Sequence, residues 1–480
     1  MIKKMNFYIL ISLIIFCSGI KKFKVLEEWG QYSIMDDGSD LRCIQCTAYK
    51  LKVSPNNTIS MCLPRIYNYE YIMRNEIRAT FATLKTELEY DHYWNAFPEE
   101  NVVARDRADY LQFRIFSVMG FDIDDNENYY LLDQGVILPE NNTIMENTSK
   151  LVIFSQYGER KKVYYFNYSD FTTSFLTDIV VDQDKKYAYI TDSGNLLNNQ
   201  SIPRLIVIDL KKDKIYRILK NNTEFEPDEN LEIIYSPDNE LANYFTNVTG
   251  LNNIQITCDG KMIYFTSSKN TKLYKVLTKD IKNGIKKYED TKNDYYLDNI
   301  KLESVNKGIM SPSFAISSKN NIFLANSEEG TVRILYTLDD DLKKFNFDDY
   351  KEVNVANFAI NWPGSISVSG GKLFVLDNHY YDRNISQENN TSNDNETVAK
   401  YAIYYTNLLV DEISSNQGCT IYSFKLNIFS GFIGGIFVIA IIIAIFLMIL
   451  NREKYSNNLN YEKNVENEEN VNELNRRLKE

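Results

Sequence analysis

Residues Ile179–Gly194 read IVVDQDKKYAYITDSG: an apolar strand, a polar turn, then a second apolar strand ending in a carboxylate just before glycine. The same unit appears upstream as FDIDDNENYYLLDQG at Phe121–Gly135. Downstream it recurs as IQITCDGKMIYFTSS (Ile254–Ser268), FAISSKNNIFLANSEEG (Phe314–Gly330) and ISVSGGKLFVLDN (Ile366–Asn378). A degenerate copy, LKVSPNNTISMCLPRI, occupies Leu51–Ile66. Period-two alternation and richness in Val, Ile, Tyr and Phe indicate strands. The Asp-Asn, Asp-Gly and Gly-Gly steps between them tolerate positive φ and suit tight hairpins. Recurrence at roughly 50–75 residues is the mark of a propeller or solenoid.

Further strands follow most copies: KLVIFSQ (Lys150–Gln156) and KKVYYFN (Lys161–Asn167), RLIVIDL (Arg204–Leu210) and KIYRIL (Lys214–Leu219), TKLYKVL (Thr271–Leu277), and TVRILYTL (Thr331–Leu338). Two hairpins per copy make a four-stranded meander. Six such sheets around an axis form an all-β, six-bladed β-propeller, which protects its edges by radial repetition. The competing reading is a β-sandwich with coincidental similarity between its strands. The last copy has GCTIYSFKL (Gly418–Leu426) as its expected third strand. Its fourth is expected from KVLEEWGQYSI (Lys24–Ile34), which would close the ring by joining the two ends of the chain.

The ends read as targeting signals. Lys3 and Lys4, the apolar run Phe7–Phe16 and Cys17-Ser18-Gly19 form a secretory signal peptide over residues 1–19. Ile428–Leu450 carries no charge and is long enough to cross a bilayer as one C-terminal transmembrane helix. Arg452 and Lys454 follow it, so the polar tail 451–480 is expected in the cytosol. That tail disfavours a GPI signal, whose hydrophobic stretch must be terminal. The expectation is a single-pass type I protein of the cell surface or endomembranes, with residues 20–426 as its extracellular or lumenal propeller ectodomain. Gly431 and Gly435 form a small-xxx-small step that would let two such helices approach, giving a homodimer.

Asn-X-Ser/Thr acceptors stand at Asn56, Asn141, Asn147, Asn167, Asn199, Asn221, Asn247, Asn384, Asn389, Asn390 and Asn395, and none lies in the tail. Residues 378–400 gather several of them in a polar loop insertion within the last copy. Of six cysteines, Cys17 leaves with the signal peptide; Cys43, Cys46, Cys62, Cys258 and Cys419 remain. The odd number leaves one free or paired between chains, and Cys43, Cys46 and Cys62 are expected to supply one local bridge. A net charge of −12 without a basic stripe argues against nucleic acid.

With those residues in hand, the chain resembles the major royal jelly / yellow protein family. The matching stretches are Trp29 in VLEEWGQY, LPRIYN (Leu63–Asn68), ATFATL (Ala79–Leu84), SVMGFDIDDNENYYLLDQG (Ser117–Gly135) and KLVIF (Lys150–Phe154). SFLTDIVVDQDKKYAYITDSG (Ser174–Gly194), LIVIDL (Leu205–Leu210) and NWPGSISVSGGKLFVLDN (Asn361–Asn378) complete them. The resemblance implies a six-bladed propeller. It also implies diverse activities: conversion of pigment-pathway indole intermediates, or binding of biogenic amines or sterols. Two departures stand out. Phe113–Phe116 and Asp124–Asn128 lack the cysteines usual there, and the membrane span is foreign to the secreted members.

A propeller binds ligands at a mouth of its channel. If the first strand of each copy is innermost, its start shares one face with the end of the second strand. That face collects Thr177, Asp178, Asp192, Asp133, Asn326, Asn361, Trp362 and Asp377. The carboxylates would pair with a cationic amine while Phe175 and Trp362 stack on a ring. The plainer reading is that these Asp and Asn residues bond turn backbone at strand ends. His92 and His379 lack motifs, which excludes a multi-histidine metal centre, and no cofactor is expected. A channel calcium would draw on Asp178, Asn326 and Asp377. Three functions stay open: a small-ligand binder, favouring an aromatic amine; a tautomerase- or lactonase-type enzyme at the same mouth; or an adhesion or scaffold ectodomain.

Overall fold

The computed structural model describes residues 24–29, 32–36, 39–43, 48–54, 56–64, 80–84, 94–98, 114–135, 137–138, 143–167, 171, 174–182, 184–194, 203–220, 222–226, 228, 231, 250–267, 270–318, 320–326, 330–335, 351–353, 360, 363–377 and 401–408. The expected signal peptide, membrane span, tail and 378–400 insertion lie outside them, as do Asn361, Trp362, His92 and His379. Among the described residues no helix is long and apolar enough to cross a membrane.

Each repeat is an antiparallel sheet. Sheet 2 runs Val118–Ile123, Tyr129–Asp133, Lys150–Phe154, Arg160–Tyr165. Sheet 3 runs Leu176–Val181, Tyr187–Asp192, Arg204–Asp209, Lys214–Ile218. In sheet 4 the order is Leu251–Ile256, Met262–Ser267, Lys272–Leu277, Glu303–Asn306, and in sheet 5 Phe314–Ile316, Ile322–Asn326, Thr331–Leu335, Lys351–Val353. Sheet 1 holds Lys50–Val53, Ile59–Cys62, Phe81–Leu84 and Trp94–Ala96. A hairpin, Tyr32–Asp36 with Ser39–Cys43, extends sheet 1 through a parallel pairing to Trp94–Ala96.

Sheet 6 joins the chain ends, by a different strand from the one expected. Its order is Pro363–Ser369, Lys372–Asp377, Tyr401–Asn407, Lys24–Trp29. Lys24–Trp29 pairs with Tyr401–Asn407, Lys24 opposite Tyr405 and Trp29 opposite Tyr401. The expected partner segment, Gly418–Leu426, lies outside the described residues. The expected single strand Lys24–Ile34 is also divided: its first part closes sheet 6 and Tyr32–Asp36 serves sheet 1. YAIYYTN has the β-branched and aromatic content of a strand, but it follows a polar insertion and sits outside the repeat pattern.

The first strands of the six sheets form a closed cycle of hydrogen bonds. Lys52 Nζ donates to Asp122 Oδ1 at 2.8 Å, linking sheets 1 and 2. Val181 N donates to Asp122 Oδ2 at 2.7 Å, and Thr177 Oγ1 to Leu251 O at 2.8 Å, linking sheets 2, 3 and 4. Ser313 Oγ accepts from Asn253 Nδ2 at 3.4 Å and from Ile366 N at 3.2 Å, joining sheets 4, 5 and 6. Leu51 N and Val53 N donate to Ser365 Oγ and Ser367 Oγ, returning to sheet 1.

Every interface between consecutive sheets has its own core. Strand period two explains this: Tyr189 faces the core of sheets 3 and 4, while Ala188 and Ile190 face that of sheets 2 and 3. Because both faces are covered, the strands read as nearly continuous apolar runs rather than strict alternations. Fully burying a side chain such as Phe265 or Ile263 contributes about 1.5–3 kcal/mol.

The hairpins joining first to second strands share one local design. Ser54, Asp124, Asp182, Thr257 and Ser317 each accept at the main-chain oxygen from the N–H three residues on. The residue donating that N–H has positive φ: Asn57, Glu127, Lys185, Gly260 and Asn320. Gly370 and Gly371 supply the positive φ in the sheet 6 hairpin.

A helical insertion, α1 (Thr278–Thr291) and α2 (Tyr295–Asp298), separates the third and fourth strands of sheet 4. Ile281 and Ile285, one turn apart, enter the core of sheets 3 and 4. On its far end Glu289 accepts from Lys212 Nζ, Lys214 Nζ and the Tyr216 hydroxyl of sheet 3 at 2.7–2.8 Å. These donors hold the Glu289 carboxyl down to about 2.

Candidate functional site: the axial ion pairs and the strand-end corners

Lys50 and Lys52 stand two residues apart on the first strand of sheet 1, so both leave the same face. Each meets a carboxylate from another sheet: Lys52 from the adjacent sheet 2, Lys50 from sheet 3. Lys50 Nζ donates to Asp178 Oδ2 at 3.0 Å, with both side chains buried (4% and 1% exposed). The Lys52–Asp122 pair is more open, at 16% and 19%. Asp178 also accepts from Ile254 N at 3.2 Å and from Ile179 N at 3.0 Å, so one carboxylate ties sheets 1, 3 and 4. Burial lowers the Lys50 ammonium below its ordinary range, and Asp178 opposes that shift. Gly120 makes the arrangement sterically feasible: a Cβ there would lie 2.7 Å from Asp178 Cα.

At the end where the first strands begin, the Tyr49 hydroxyl donates to Asn252 Oδ1, spanning sheets 1 and 4. Cys62 lies beneath, buried and free; its Sγ faces Met119 O at 3.4 Å, and burial pushes the thiol up. The expected local bridge therefore does not include Cys62. The adjoining Phe81, Phe121 and Tyr129 fill that interface around it and keep it in an apolar setting. Cys258 is disulfide-bonded.

Among the expected site residues, Asp178 is axial and Phe175, Asp192, Asn326 and Asp377 are buried at strand ends. Asp133 and Asp192 build equivalent corners. Asp133 accepts from the N–H groups of Phe116, Ser117 and Gly135 at 2.8–3.0 Å and from Lys150 Nζ at 2.9 Å. Asp192 accepts from Phe175 N at 2.9 Å, Gly194 N at 3.0 Å, Ser174 Oγ at 2.7 Å and Arg204 Nε at 2.8 Å. Gly135 and Gly194 have φ of 82° and 80°, which lets the chain turn back onto the carboxylate. These two carboxylates thus hold the start of one strand against the end of the next, each with its own cation. Asn326 Nδ2 donates to Thr331 Oγ1 at 3.3 Å in its own sheet.

Sheet 4 breaks the pattern. Ser267 stands at the corner position, opposite Leu251 as Asp192 is opposite Leu176. The cation there is Lys307, 2% exposed, donating to Thr266 Oγ1 at 2.7 Å and Asn270 O at 2.5 Å. Among the described residues no carboxylate is one of its hydrogen-bond partners, and burial drives the ammonium down to about 7.

Lys50, Lys52 and Lys307 were not among the residues expected at the site from the sequence. For the first pair a signal existed: two lysines at alternate positions of a strand otherwise fit for burial. Among the described residues no group of three or more His, Cys, Asp or Glu is placed to hold a metal.

Meandering antiparallel sheets with repeated Asp-x-Gly corners define a class, and a comparison of sequence families narrows it. The family described as Major royal jelly protein matches residues 116–414, and the chain belongs to that family. No curated protein matches the chain. Among solved structures, selenomethionine-substituted virginiamycin B lyase from Staphylococcus aureus is similar at 10% identity, covering 75% of this chain and 95% of that one, with a TM-score of 0.38. A luciferin-regenerating enzyme is similar at 10% identity, 82% and 98% coverage, and a TM-score of 0.42.

Proposed function

We propose that the chain is a six-bladed β-propeller of the major royal jelly protein family, made on the secretory route and anchored by Ile428–Leu450, that binds a small ligand at one mouth of its central channel. The observation that carries the binding reading is the polar end of the axis: Tyr49 and Asn252 above the buried Lys50–Asp178 pair. An aromatic ring with a hydrogen-bonding group finds there a phenol, an amide and a fixed ion pair. Six sheets joined in one cycle support the blade count. The Cys258 disulfide and the exposed sequon residues Asn56, Asn147 and Asn167 support an oxidising, glycosylating compartment.

The expected preference for amines now rests on exchange. Asp133, Asp178 and Asp192 each already hold a cation within 3.0 Å. An amine must take Lys50's place on Asp178, so charge alone gives it little advantage over a neutral ring. Titration calorimetry of the full-length chain in detergent, with serotonin, dopamine, an indole acid and a sterol as probes, tests this. Binding that weakens about tenfold in Tyr49→Ala, a loss of about 1.4 kcal/mol, supports the site. No heat with any probe moves the reading to an adhesion or scaffold ectodomain.

A further inference from the structure

On the outer part of sheet 2, residues Ile144, Met145, Phe166 and Phe171 line a small apolar cleft of about 10 Å³, and Asn147 forms part of its wall. Asn147 is also the acceptor of the sequon Asn147-Thr148-Ser149. We infer that the first N-acetylglucosamine of a glycan on Asn147 seats over this cleft and becomes part of the packing of sheet 2.

The turn fixes where the sugar goes. Thr148 N and Thr148 Oγ1 both donate to Met145 O, at 3.3 and 2.7 Å, closing the turn around Asn147. Asn147 has φ of 61°, and its side chain is exposed. Asn tolerates this left-handed conformation because its short polar side chain relieves the usual strain. The bond from Asn147 to the sugar therefore leaves a closed turn beside apolar side chains. Ile144, Phe166 and Phe171 are at most 5% exposed, so the C–H faces and acetamido methyl of a pyranose would gain mainly by covering the half-buried Met145.

The rest of the sequon is built into the fold. Ser149 is 4% exposed, its hydroxyl faces Asp133 O at 3.4 Å, and its main-chain oxygen accepts from Phe166 N at 3.1 Å. Gly135 packs against it so closely that a Cβ would lie 2.7 Å from Ser149 N. The glycan must then be added before sheet 2 closes, and folding brings the sugar onto the cleft. Asn167 is the natural control. It is an exposed acceptor on the same sheet, next to Phe166, but it does not line the cleft.

The test uses the full-length chain from a glycosylating host, with glycopeptide mass spectrometry for occupancy. Asp replaces Asn at each site because it also tolerates the left-handed region. Asn147→Asp should lower Tm by about 2 °C and Asn167→Asp should leave it unchanged. Trimming all glycans to the single proximal sugar should also leave Tm unchanged. Met145→Ser should lower Tm in the glycosylated chain and have a smaller effect in the Asn147→Asp background. An unoccupied Asn147 beside an occupied Asn167, equal Tm for the two Asp variants, or an effect of Met145→Ser that ignores the glycan would each overturn the inference, whereas no occupancy at either site would overturn the secretory reading on which it rests.

Discussion

Replacing Asp178 by Asn is the sharpest perturbation of the axis. The carboxylate is 1% exposed and accepts from Lys50 Nζ, Ile254 N and Ile179 N at 3.0–3.2 Å. Asparagine has the same shape, but one of its terminal atoms donates. Whichever way it is turned, an N–H meets another donor, and Lys50 keeps a charge with no counter-ion. Removing one member of a buried pair costs about 3–5 kcal/mol. Deprotonation of Lys50 offers a partial escape, since a neutral amine accepts from the new amide. Burial already lowers the Lys50 pKa, and losing Asp178 lowers it further. For a base depressed on folding, the cost is full below its folded pKa and fades as pH rises toward 10.5. The Asp178→Asn penalty should therefore be larger at pH 6 than at pH 9. Lys50→Met in the same chain removes the stranded charge, so the double variant should recover about 2 kcal/mol of the Asp178→Asn loss. Urea unfolding of all four chains, followed by fluorescence at both pH values, measures this. A loss below about 1 kcal/mol for Asp178→Asn, or losses that simply add, would refute the reasoning.

Three further outcomes are expected. Lys307 lies at about 7 against an ordinary 10.5, so its buried charge costs stability below pH 7 and the cost disappears as pH rises toward 10.5; relative to Lys307→Met, the wild-type chain should gain about 3 kcal/mol between pH 7 and pH 10 in thermal or urea unfolding. Deleting Lys24–Trp29 exposes the edge of Tyr401–Asn407 and should yield aggregated, retained protein, whereas a monomer of unchanged Tm would contradict ring closure. A C-terminal tag should be digested when protease is added to sealed microsomes while the glycosylated domain is protected, and the opposite pattern would reverse the proposed topology.

Much of the fold was legible because each repeat carries both its strands and its turn chemistry. LLDQG and ITDSG announced strand ends, and the structure makes them corners that clamp main-chain N–H groups. What escaped notice was held by contacts distant in sequence. Tyr401–Asn407 finds its partner at Lys24–Trp29, a pairing no local pattern encodes. The hairpin Tyr32–Asp36 with Ser39–Cys43 attaches to sheet 1 for the same reason. The axis was half legible: Asp178 was singled out as a carboxylate awaiting a cation. Its cation turned out to be Lys50, 128 residues away, and only the folded chain shows that pairing. Lys307 was invisible because its meaning comes from the absence of an aspartate at Ser267.

The proposed ligand site lies at the end of the axis marked by Tyr49, Asn252 and Asp178. The most direct measurement is a high-resolution structure of the full-length chain purified from its native source without added ligand. Density for a small organic molecule is expected within hydrogen-bonding distance of Tyr49 or Asn252. Ordered water alone at that mouth, with a co-purified protein bound on the outer strands, would contradict it.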